Sequence, residues 1–109
     1  MGNIDFQVVV GALKNEVTKL AMANVKNYTS DAKADGIQLV DSLKEDIKTW
    51  GRQLAEGKMS VDDVEFLVLA KKDVIEMHAL KQAGLGLVKV DEFKNSILQL
   101  IVKTLAGLN

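Results

Sequence analysis

Apolar residues in the first half of the chain recur at Phe6, Val10, Leu13, Val17 and Leu20. After Asn24 they resume at Tyr28, Ala32, Gly36, Leu39, Leu43, Ile47, Trp50 and Leu54. The mean step of about 3.7 residues is that of an α-helix; a half-buried strand would alternate with a period of two. One helical face is therefore apolar from about residue 5 to 56. It weakens between 27 and 36, where Asn27-Tyr28-Thr29-Ser30-Asp31 and Asp35-Gly36 together give up roughly 4 kcal/mol of helix propensity relative to alanine. The arm is free to bend or break there.

The clearest stop-and-start signal is Glu56-Gly57-Lys58-Met59-Ser60. Gly57 can take the left-handed conformation that ends a helix, and Ser60 can cap the next one, with Asp62 and Asp63 at the positive end of its dipole. Met59 and Val64 stand at the two positions of a hydrophobic staple. So short a turn predicts antiparallel neighbours, with Trp50 and Leu54 meeting Val64, Leu67 or Val68. The second arm carries Val61, Val64, Leu67, Val68, Ile75 and Leu80 at helical spacing, and the unbroken run Phe66-Leu67-Val68-Leu69-Ala70 wraps more than one face. A second weak zone, Gly84 to Val90, precedes a final helix with Phe93, Ile97, Leu100, Ile101 and Leu105, ending near Gly107.

These elements predict one all-α domain over residues 1–109. It is a long antiparallel helical hairpin of about 5–56 and 61–107, free to bend or break near 27–36 and 84–90. Fully extended, it would be ~75 Å long at 1.5 Å per residue, and its stripes would be buried only by dimerisation into a four-helix bundle. With both arms folded back at the weak zones, the same segments make an up-down bundle within one chain. The two forms are related as domain-swapped partners are. Neither Thr29 nor Ser30 completes a capping box, which favours at least one extended arm and a homodimer.

Composition narrows the function classes. Fourteen Lys+Arg against fifteen Asp+Glu leave a net charge of -1 with Arg52 the single arginine, so no footprint for nucleic acid stands out. The absence of cysteine removes disulfides, thiolate metal sites and cysteine nucleophiles, and the absence of proline suits long helices. No apolar stretch approaches the ~18 residues of a membrane span. Asp5 stands where a secretory signal would be basic, and the expected location is the cytoplasm.

Gly57-Lys58-Met59-Ser60, Asp62-Asp63, Phe66-Leu67-Val68-Leu69, Lys72, Leu80 and Gly84-Leu85-Gly86-Leu87, with Tyr28 upstream, resemble a group of small uncharacterised bacterial all-helical proteins. Their pattern is a Gly-x-Ile-Ser-Glu-Glu-Glu turn, a leucine-rich helix and a Gly-Leu-Gly-Leu segment. The resemblance spans about residues 24–90 and implies an all-helical fold and no activity. It departs from this chain at a proline upstream of the tyrosine, which this sequence lacks.

Catalytic chemistry finds little support. His78 is the single histidine, and Glu76 lies two residues before it where a di-iron Glu-x-x-His motif needs three. The adjacent pairs Glu45-Asp46 and Asp62-Asp63 splay ~100° apart on a helix, which suits solvation and dipole complementation better than acid–base work. Gly84-x-Gly86 lacks the third glycine and the preceding strand of a phosphate loop. Trp50, Tyr28 and the methionines sit at core or interface spacing. No enzyme, cofactor or metal is expected. The strongest candidate surface is apolar and terminal: Phe6, Val9, Val10 and Leu13, with Leu98, Ile101, Val102 and Leu105. It points to a non-enzymatic protein that self-associates as a homodimer or docks another protein. The second reading is a membrane-surface helix, with Lys14, Lys19 and Lys26 beside the first stripe.

Overall fold

Asp5 opens the first helix by accepting hydrogen bonds from the backbone N–H groups of Gln7 (3.0 Å) and Val8 (3.4 Å). In the computed structural model, which describes residues 4–108, five α-helices follow in chain order. They are α1 (Phe6–Asn24), α2 (Thr29–Ala55), α3 (Val61–Ala70), α4 (His78–Gln82) and α5 (Leu87–Ala106), and no strand occurs among the described residues. The all-helical expectation holds. The continuous arms do not.

The first arm breaks at Val25 (φ −134°, ψ 59°), followed by a single 3-10 turn, Lys26–Tyr28. The Thr29 hydroxyl donates to the Lys26 carbonyl at 3.0 Å, taking up a group the broken helix leaves free. The break begins two residues before the expected zone of 27–36 and overlaps only its start, and α2 runs unbroken through Asp35-Gly36. Folding α1 back on α2 buries Leu13, Val17 and Ala21, each worth roughly 1 to 3 kcal/mol by size, which exceeds what three irregular residues give up. The pairing is antiparallel: Phe6 lies over Gly51, Lys14 pairs with Asp41, and Val17 lies over Gly36.

The second arm is broken twice. One break is the expected glycine pair, where Gly84 takes φ +94° and α5 begins at Leu87. The other was not expected: α3 tightens into a 3-10 turn at Lys71–Val74, and Ile75 to Met77 leave the helical conformation altogether. There Ile75 and Met77 are buried while Glu76 between them is exposed, so the segment alternates in and out as extended chain does. The extended ~75 Å hairpin is therefore replaced by a structure 45 Å in its longest dimension.

The turn at 56–60 forms as the sequence predicts. Gly57 has φ +72°, and Ser60 and Asp63 exchange hydrogen bonds, Asp63 N–H to Ser60 Oγ at 3.1 Å and Ser60 N–H to Asp63 Oδ2 at 3.0 Å. Its consequence differs from expectation. The principal neighbour of α3 is α5, not α2. Trp50, Leu54, Val64 and Val68 all enter one buried cluster, but Leu67 stays 37% exposed.

Candidate functional site

The terminal apolar residues are largely inside the molecule. Leu13, Leu98, Ile101, Val102 and Leu105 are buried, and Phe6, Val9 and Val10 are half-buried. Packing of α1 on α2, and of α5 on α3, α1 and α2, absorbs most of the apolar excess that suggested an open surface. Five of its eight members are buried, so as an exposed contact face this set offers little surface.

The two buried charged side chains among the described residues hold the irregular stretch between α3 and α4. Asp35, 5% exposed in the middle of α2, accepts from Ala79 N–H at 3.1 Å and Leu80 N–H at 2.8 Å. These are the second and third residues of α4, so Asp35 acts as its N-cap from more than forty positions away in sequence. Lys94, 8% exposed on α5, donates through Nζ to the Lys72 carbonyl at 3.0 Å. A cation there complements the negative end of the α3 dipole and satisfies a carbonyl at the frayed turn. Neither partner could be found by local reading, since each acts across more than twenty residues.

The residues weighed for chemistry are scattered. His78 Nε2 lies 3.4 Å from Glu76 Oε2 with both side chains exposed, Asp46 pairs with Lys71 at 3.6 Å, and Gly84 serves a turn. No group of three or more His, Cys, Asp or Glu that could hold a metal ion occurs among the described residues. An open cleft of about 760 Å³ lies between the start of α1 and α2, lined in part by Phe6, Val10, Lys14, Asp41, Lys44 and Lys48. The Lys14–Asp41 ion pair sits in its wall, so part of its charge is internally neutralised.

Exposed apolar side chains include Val8 and Met22 on α1, Val74, and Leu87 and Val88 on α5, and the bulkiest is Phe66. Phe66, at the middle of α3, is 74% exposed. It stands two residues from both Val64 and Val68, which are fully buried, and at 100° per residue that places it directly opposite the packed face. Leu67 flanks it, and Leu69 is half-buried one turn on. The signal was present in the sequence: once Val64 and Val68 are taken as the core pair, Phe66 must face outward. Around it stand the exposed carboxylates of Asp62, Asp63, Glu65 and Asp73. Hydrogen bonds from the Ser60 backbone and side chain hold Asp63 below the usual carboxylate range. No helix among the described residues is long and apolar enough to cross a membrane. The chain matches no protein-family model, no curated protein and no solved structure.

Proposed function

We propose that this chain is a non-enzymatic helical protein that works by contacting another protein chain, and that the contact is made by the outward face of α3. One observation carries this reading: a phenylalanine 74% exposed on the side of a helix opposite its packed residues. Burying such a ring is worth roughly 2 to 3 kcal/mol, so leaving it in water gives up stability that a partner can recover. We read α1, α2, α3 and α5 as a four-helix core closed within one chain. A homodimer is then not needed to bury the stripes, and docking replaces dimer completion as the role of the apolar surface.

Site-specific photo-crosslinking in the cells that make the protein tests the reading. A photoreactive residue in place of Phe66 should give one discrete crosslinked species, while the same residue in place of the exposed Gln38 on α2 should give none. Absence of a crosslink at 66, in protein shown to be folded, overturns it.

A further inference from the structure

The α3 face has a charge pattern as well as an apolar centre. Asp62, Phe66 and Leu69 are spaced four and three apart along one side of the helix, and Asp63 and Glu65 flank them. Asp73 follows, exposed in the 3-10 turn just beyond. None of these four carboxylates pairs with a cation among the described residues. Of the three nearby lysines, Lys58 is engaged with Glu56 at 3.6 Å, Lys71 is engaged with Asp46 at 3.6 Å, and Lys72 is half-buried. The apolar centre is thus rimmed by unpaired negative charge.

Resting on the docking role proposed above, we infer that the occupant of this face is a basic amphipathic helix of another protein, with apolar residues at i and i+3 or i+4 flanked by Lys or Arg. The spacing of Phe66 and Leu69 matches the anchors of such a helix, and the rim supplies the complementary charge. A second copy of α3 fits less well. An antiparallel two-fold pairing centred between Phe66 and Leu69 would set Asp62 of one copy against Asp73 of the other, with only the half-buried Lys72 opposite Asp63 in compensation, and a parallel pairing would set every acid against its own copy. Like charges brought together in that way oppose association.

The full chain can be tested with a designed probe, a ~20-residue helical peptide of leucine and lysine at amphipathic spacing, with a leucine and glutamate peptide as control. The lysine peptide should bind at one per chain and weaken as NaCl rises from ~0.05 to ~0.5 M. Binding should fall at least ~10-fold for Phe66→Ser and for the double variant D62K/E65K. Val8→Ser and Leu87→Ser, at exposed apolar positions on other helices, should leave it unchanged. Phe66→Ser lies outside the core, so its unfolding midpoint should match that of the unaltered chain, which excludes misfolding as the cause.

Equal binding of the glutamate peptide, or equal losses at Phe66 and Val8, overturns the inference. So does Phe66-dependent self-association in sedimentation, which would make a second copy the occupant while leaving the docking role of α3 intact. The docking role itself fails in the separate crosslinking experiment.

Discussion

Gly36 and Gly51 let two helices cross α2 closely, and the structure distinguishes what each would meet if it carried a methyl group. At Gly36 the methyl would run into Val17, with Ile97 and Phe93 behind it. Valine is stiff at χ1 and Val17 is fully buried, so the neighbour has little room to give. Gly36→Ala should lower stability by ~1 to 3 kcal/mol through overpacking, offset by at most ~1 kcal/mol of improved helix propensity. At Gly51 the methyl would meet the Phe6 ring, which is half-buried near the chain start and can swing outward. Urea midpoints should therefore rank Gly36→Ala below Gly51→Ala, and the reverse order would mean that the Phe6 ring is the more firmly fixed. Trp50 sets the larger scale. At 6% exposed, its truncation to alanine should cost ~3 to 5 kcal/mol, against ~1 kcal/mol for Ser60→Ala, in the same unfolding series.

At the scale of elements, α4 has only five residues, and its stability comes from outside it. Asp35→Ala removes a charged acceptor from two backbone donors, which should cost ~1.5 to 3 kcal/mol. Native-state hydrogen exchange should show it first at the amides of Ala79 and Leu80, while those in the middle of α2 stay protected. Loss of protection spread evenly over all helices would mean that α4 is not a separate unit. The start of α3 responds instead to pH. Because Asp63 has its folded pKa lowered by Ser60, its stabilising contribution is present above the ordinary carboxylate value of ~3.9 and is lost as pH falls through the lower folded value. Asp63→Asn should accordingly be less stable than the unaltered chain at neutral pH and converge with it in acid. A gap between them that persists unchanged at ~pH 2 would contradict the capping box as its source.

For the whole molecule, the choice between folded-back and extended arms rests on a few residues at 25–29. Val25, Asn27 and Thr29 carry lower helix propensity, Thr29 with a competing hydroxyl, and the Thr29 bond to the Lys26 carbonyl stabilises the turn. Replacing Asn27 and Thr29 with alanine favours a helix running straight through. The expected result is a concentration-dependent dimer with exchanged α1 helices in sedimentation equilibrium, absent in the unaltered chain. A variant that stays the same size at all concentrations would show that α1 packing alone, without the turn chemistry, fixes the folded-back arm.

The helical class, the stripe from Leu13 to Leu54, the Gly57 turn and the Ser60 cap were legible in the sequence because each is written in residues within one or two turns of one another. A 3.6-residue period and a cap need no knowledge of the rest of the chain. The reversal at Val25, the extended stretch Ile75 to Met77 and the neighbour of α3 were not legible. No proline or glycine marks the first two, and what secures them is distant: Gly36 admits Val17, Asp35 caps α4, and Lys94 holds the Lys72 carbonyl. The same distinction governs the candidate surface. Local hydrophobicity showed an apolar excess at both chain ends, but only tertiary packing decided that α2 and α3 help α1 and α5 to bury it and that Phe66 is left in solvent. Hydrophobicity is a property of a residue; exposure depends on which other helices reach it.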